Sequence, residues 1–257
     1  MAIRVSKRKM PAKEDFDIKE RQKVEFNLNK RTMLYLSKFY NLGIISKLDF
    51  IIARGKESDI YIAEPGESDK VAGSKHIILK FFRIETSTFF NMADYINGDP
   101  RFNGIASSKE KIVYTWCKKE FGNLKMAKKA GVNVPMPYFA HGNILAMEFI
   151  GSNGIPAPQL KYVKMDADEA EGMLDSILEN VRKLYHAGLV HADLSEYNIL
   201  VKDAAPCIID FGQAVVLRHP NAMGFLERDV RNILYYFKKA YGINKDFDES
   251  VKSILGE

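Results

Sequence analysis

The stretch V-H-A-D-L-S-E-Y-N-I-L, residues 190–200, constrains this chain more than any other. Apolar residues open and close it, and His191, Asp193, Ser195, Glu196 and Asn198 stand between them. Such flanks belong to chain entering and leaving a core, so the polar groups are held at a fixed place. Seven residues after the stretch ends, the apolar run Cys207-Ile208-Ile209 begins and delivers Asp210-Phe211-Gly212. A fold must bring both polar sets to one rim of one core. A chain of 257 residues is long enough to build that core as one large domain or two modest lobes.

The order of the remaining elements suits two lobes. Apolar spacing at Met33, Leu36, Phe39 and Tyr40 predicts a short helix stopped by Gly43. Strands are predicted over 48–53, 60–63 and 76–82, the last carrying Lys80 near its end. Residues 84–108 break the pattern and read as a long flexible loop. A helix follows over 109–130, then a hairpin over 138–150 around Gly142-Asn143. The Gly- and Pro-rich stretch 152–158 reads as a hinge. Beyond it come helices over 168–187, 227–241 and 248–255, with a small hairpin over 199–209. The predicted class is therefore α+β, with a cleft at the hinge. Residues 1–48 form a basic arm and short helix, 49–150 one lobe, and 151–257 the other.

Two cysteines, Cys117 and Cys207, stand far apart in no C-x-x-C pair. A disulfide framework or zinc site is not predicted, and a reducing cytoplasm is the default compartment. No apolar run has the length of a membrane span, and the charged N-terminus lacks a signal peptide's apolar stretch. Residues 1–31 hold ten Lys or Arg against five Asp or Glu, and the rest of the chain is balanced at 28 of each. The net charge of +5 thus lies in the arm. Such an arm either binds RNA phosphates or is simply a solvated terminus.

The polar residues fit phosphoryl transfer. Asp193 and Asn198 are five apart, as in the kinase pattern H-R-D-x-x-x-x-N, but Ala192 replaces the Arg. Asp193 would orient the attacking hydroxyl. Asn198 and Asp210 would hold Mg²⁺ or Mn²⁺ through oxygen, which suits a hard cation. The alternative is a polar loop of Asx turns, with Asp210 capping the next segment. Lys80 on an apolar strand needs a partner, and Glu120 lies on a helix face between Trp116 and Leu124. That pair would position the ATP phosphates. Gly55-Lys56-Glu57-Ser58 is the phosphate-loop candidate, and residues Met147, Glu148 and Ile150 line the expected adenine strand. His191 reads as a brace rather than a base. Asp229 is a candidate brace for the loop from the tail helix. Ser107 and Ser108 are candidate phosphorylation sites or, equally, caps of the following helix.

Taken together, these residues resemble the RIO family of atypical serine kinases. The resemblance runs from about Asp49 to the C-terminus, through L-K followed by R-I-E-T-S, K-E-F, M-E-F-I-G, H-A-D-L-S-E-Y-N and I-D-F-G-Q. The loop wording and R-I-E-T-S resemble the first branch, in the short archaeal form. G-K-E-S is closer to the second. The resemblance implies a trimmed two-lobed protein-kinase-like fold and ATP with Mg²⁺ or Mn²⁺. It also implies serine autophosphorylation and a cytoplasmic role in small ribosomal subunit maturation, with rRNA and ribosomal proteins, not DNA or membrane, as partners. Asp210 is further implied as an aspartyl-phosphate acceptor. Two other readings compete: a small-molecule phosphotransferase of the aminoglycoside or choline type, and a non-catalytic ATP-binding RNA scaffold. The short tail, the missing Arg at Ala192 and the Ser at 195 in place of a Lys predict slow turnover and poor peptide recognition.

Overall fold

The computed structural model describes residues 4–5, 28–84, 95–96, 98–102 and 108–257. Strand β1 (Arg4–Val5) is short, and helix α1 (Lys30–Asn41) follows. The Asn29 side chain caps α1 by accepting the Thr32 N–H. Strands β2 (Ile45–Arg54), β3 (Ser58–Pro65) and β4 (Ile77–Phe82) come next. Helix α2 (Lys109–Lys129) precedes β5 (Pro137–His141) and β6 (Ile144–Glu148). These strands form one antiparallel sheet in the order β2-β3-β4-β6-β5.

Strand β4 is central and buried at all six positions. Its side chains alternate between faces, as a strand requires. Ile77, Leu79 and Phe81 pack with Leu36 and Phe39 of α1. Ile78 joins Ile62 and Phe149 in a smaller cluster, and Phe82 joins the large core that contains Trp116 and Leu124 of α2. Lys80 shares the parity of Ile78 and Phe82, so it points away from α1. That parity is what aims its amine at the cleft.

The second lobe begins with a hairpin of β7 (Gly151–Ser152) and β8 (Ile155–Pro156). The stretch 152–158, read from sequence as a hinge, holds most of this hairpin. The Ala157 N–H donates to the Ile150 carbonyl, and the Val201 N–H to Pro158. Strand β9 (Val163–Lys164) pairs with β1, so part of the arm is strand rather than loose chain. Helix α3 (Ala167–His186) starts with a capping box of Asp166 and Glu169. Strand β10 (Leu189–Val190), the hairpin β11 (Ile199–Lys202) and β12 (Ala205–Ile208), and β13 (Val215–Val216) frame the polar loops. Helices α4 (Ala222–Tyr241) and α5 (Phe247–Leu255) complete the lobe. Helix α4 begins five residues earlier than its periodicity suggests, because Ala222 and Leu226 are buried and extend its apolar face.

The class and two-lobed plan are those the sequence predicts. The stretch 84–108 departs from a structureless loop where it is described. Asp99 is fully buried and paired with Arg101, and Pro100–Phe102 form a 3₁₀ turn. Ser107 lies outside the described residues. No helix among those described is long and apolar enough to cross a membrane.

Candidate active site

Lys80 and Glu120 meet under the sheet. The Lys80 ammonium donates to both Glu120 carboxylate oxygens, at 2.8 and 2.9 Å, and to Asp210 Oδ1 at 2.9 Å. Burial alone would lower the Lys80 pKa, but Asp210 and Glu120 overcome it and hold the amine protonated. Burial pushes the Glu120 carboxyl up to about 7, against the pull of Lys80. Packing around Asp210 would raise its carboxyl, yet Lys80 keeps it below its ordinary range. The Asp210 side chain is 52% exposed, and its carboxylate also accepts from the Gly212 backbone.

The stretch 190–200 is held from three sides. Val190 pairs with Val215, and Ile199 with Ile208, which fixes both ends. Asp229 of α4 is buried beneath the middle. Its two oxygens accept the Ala192 N–H at 2.8 Å and the Leu194 N–H at 2.9 Å. Burial pushes the Asp229 carboxyl up to about 7 even though those two bonds favour the anion. Arg228 donates to the Ala192 carbonyl. Ala192 itself sits at φ +64°, a left-handed conformation that costs a non-glycine residue about 1–2 kcal/mol. The Asp229 and Arg228 bonds stabilise it there. His191 is buried, donates from Nε2 to the Ile209 carbonyl at 3.0 Å, and meets Phe211 edge-on. Burial takes its pKa down to about 4, so it is a neutral brace.

Asn198 donates its amide to the Asp193 carbonyl at 2.8 Å, which leaves its amide oxygen on the side away from that carbonyl. Asp193 Oδ2 takes further bonds of 3.3 Å from Asn198 and from Gln213. Burial and then the Asp210 charge hold the Asp193 carboxyl above its usual range. Asn198 and Asp210 offer two hard oxygen donors. Among the described residues no three His, Cys, Asp or Glu cluster into a cage. Two protein oxygens, completed by phosphate and water, are what Mg²⁺ ordinarily accepts, so the donor set fits that ion.

The loop that carries Asp210 is braced by two polar residues that the sequence reading did not single out. Lys119, fully buried, donates to the Gly212 carbonyl at 2.8 Å and to Ala214 at 2.6 Å. Asn123 donates to Phe211 and Ala214, both at 2.9 Å. Burial lowers the Lys119 pKa to about 7. Arg101 links Asp99 to Asn123, tying the start of α2's approach segment to this loop. The signal was present: Lys119 and Asn123 sit four apart on the face that holds Trp116, Glu120 and Leu124. Polar residues on an inward helical face need partners.

The remaining candidates lie around this centre. Gly55 opens the turn between β2 and β3, where its N–H donates to the Ser58 carbonyl at 2.8 Å. That amide is therefore committed within the turn. Ser58 begins β3, opposite Phe82, and Lys56 lies in the turn itself. Met147 pairs with Ile78 on the sheet. The Glu148 N–H donates to the Met136 carbonyl, and its side chain accepts the Met136 N–H at 3.0 Å. The Ile150 carbonyl accepts from Ala157. Ser108 is the N-cap of α2, accepting the Lys111 N–H at 3.4 Å. Both cysteines are free and buried, and burial raises their pKa values, Cys207 to about 12.

A RIO domain family model matches residues 59–250. The chain is 35% identical to the RIO-type serine/threonine-protein kinase Rio1 of Haloferax volcanii, across its full length and 87% of that protein. It is 38% identical to the protein of the same name from Methanocaldococcus jannaschii, over 89% of this chain and 76% of the relative. For the Thermoplasma acidophilum Rio1 the values are 41%, 70% and 93%. In fold, the chain is similar to the crystal structure of the Rio2 kinase–ADP/Mg²⁺–phosphoaspartate complex from Chaetomium thermophilum. That match has a TM-score of 0.65 at 24% identity and covers 88% of this chain and 67% of the other.

Proposed function

The chain belongs to the RIO family of serine/threonine protein kinases, and from that membership we propose how this site works. It transfers the γ-phosphoryl group of ATP to serine, including serines of its own chain, with Mg²⁺ or Mn²⁺. The observation that carries this is the buried Lys80–Glu120 pair, its contact with Asp210, and the Asp193–Asn198 pair beside them.

Each residue has a physical role. Lys80, fixed by Glu120, offers a protonated amine to the α- and β-phosphates. Asn198 and Asp210 are the metal's protein donors, and the ion supplies charge neutralisation when bound. Asp193 orients the serine hydroxyl, and its raised pKa makes it a better proton acceptor. Half-buried Ile60 and Met147, beside buried Ile62 and Ile78, form an apolar surface for adenine. Lys56 and Ser58, at the turn opened by Gly55, lie over the phosphates. Asp210 also serves as an acceptor in hydrolysis. A carboxylate oxygen attacks the γ-phosphorus, the bond to the bridging oxygen breaks, ADP leaves, and water later releases phosphate.

Ala192 removes the Arg that a conventional kinase pairs with an activation-loop phosphate. Here Asp229 and Arg228 hold the loop from beneath instead. Helix α4 begins only ten residues after Gly212, leaving little chain for a peptide platform. Both features support slow chemistry on a macromolecular partner, namely the maturing small ribosomal subunit in the cytoplasm. Incubation with γ-labelled ATP, with and without small subunits, tests the reading. Wild type should self-label on serine, and Asp193→Ala should not. Labelling of aminoglycosides or choline instead, or no ATP turnover, would refute it. Phosphopeptide mapping should place the label at Ser107 or Ser108.

A further inference from the structure

Helix α2 has two faces with opposite roles. Glu120 lies on the inner face. Two residues make about 200° of rotation, so Lys118 lies on the outer one. Lys111, Lys118 and Lys125 are exposed and spaced by seven, which places them on one line about 10 Å apart. None of the three pairs with a carboxylate among the described residues. Exposed Lys38 of α1 joins them. Both Lys38 and Lys118 act on His141, whose pKa is lowered first by burial and then by these two charges. The seam between α1 and α2 is aromatic: Tyr35 meets Tyr114 at 5.5 Å and His141 at 5.1 Å. Lys125 lies 5.6 Å from the Phe121 ring.

Helix stability does not account for this charge. Lys111 stands in the first turn of α2, and Lys30 and Arg31 in the first turn of α1, where the macrodipole disfavours cations. Helix α1 has no acidic residue at all, and the one exposed acid of α2, Glu110, is taken by Arg31. A row of unbalanced lysines beside half-buried aromatic rings suits a polyanion with π-faces. The basic arm of residues 1–31 leads directly into α1.

We propose that the outer face of α1 and α2, built on Lys38, Lys111, Lys118 and Lys125, docks the phosphate backbone of RNA. This rests on the reading that the chain acts on the small ribosomal subunit. Its consequence is mechanical: RNA would bear on the helix whose other face holds Glu120 against Lys80.

The test uses the full chain and a labelled 20-nucleotide single-stranded RNA, titrated at several salt concentrations. Each phosphate-bound lysine contributes about 0.7 to the slope of log affinity against log salt. The triple variant Lys111→Glu, Lys118→Glu, Lys125→Glu should lose at least tenfold in affinity and about 2 in slope. The milder triple Gln variant should lose a similar slope, and both should self-label with ATP as wild type does. Unchanged affinity and slope in both variants would overturn the docking face while leaving the ribosomal reading intact. Failure of wild type to bind RNA would overturn both. Equal charge-dependent binding to anionic lipid vesicles or polyglutamate would overturn the assignment to RNA.

Discussion

Gly212 is the tightest point of the proposed metal loop, and replacing it by alanine is the sharpest test of how that loop is held. A Cβ at Gly212 would lie 2.6 Å from Trp116 Nε1, 3.0 Å from Cε2 and 3.2 Å from Cζ2. Ordinary carbon contacts are about 3.5–4.0 Å, so ring or loop must move by roughly 1 Å. Trp116 is only 3% exposed and cannot swing into solvent. Overpacking of this kind costs about 1–3 kcal/mol. Alanine recovers about 0.4–1 kcal/mol by restricting the unfolded chain. The net loss is about 1–2 kcal/mol, or a Tm drop of about 3–6 °C for a chain of this size. The effect on chemistry should be larger. Asp210 is two residues away, and a misplacement of about 1 Å can cost about 100-fold in rate. Trp116 is the only tryptophan, so its emission reports the movement directly. Thermal melts, tryptophan fluorescence and ATP-dependent self-labelling therefore read three links of one chain of cause. Adding Trp116→Phe removes the clashing atoms, and the double variant should regain activity relative to Gly212→Ala. Wild-type rate, Tm and emission in Gly212→Ala would refute the reasoning, as would a rate loss that Trp116→Phe worsens.

Three further outcomes follow from the same geometry. Lys80→Met leaves Glu120 buried without its partner, a loss of about 3–5 kcal/mol. Burial raises the Glu120 pKa, so protonation relieves the loss, and urea unfolding should show greater destabilisation at pH 8 than at pH 6. Lys119 has a folded pKa lowered to about 7, so from pH 7 to about 10 the unfolded chain binds more protons and stability rises with pH. Lys119→Met should flatten that rise in urea midpoints, and a profile parallel to wild type would count against it. Asp229→Asn keeps the shape but sets an NH₂ against the N–H of Ala192 or Leu194. Steady-state kinetics should show kcat reduced about 10–100-fold with the ATP KM within about twofold, and a raised KM at unchanged kcat would contradict the bracing role.

Much of the site was legible because its chemistry is written in local spacing. Asp193 and Asn198 lie on one loop, so a spacing of five suffices to bring them together. The apolar run around Lys80 and the helical phase of Glu120 likewise marked both as polar groups that need a partner. Asp229 could be suggested as a brace, but not as the acceptor of two particular amides. The roles of Lys119 and Asn123 were hidden for a different reason. Their acceptors are backbone carbonyls about ninety residues away, and a carbonyl carries no sequence label. Within 84–108, Asp99 and Arg101 look like loop residues until Asn123 is brought beneath them. The sequence by itself determined the class of fold, the two lobes and the residue types that meet at the cleft, since periodicity and spacing are local properties. Only the tertiary structure decided what holds the two polar loops still, because that depends on which polar groups burial leaves facing one another.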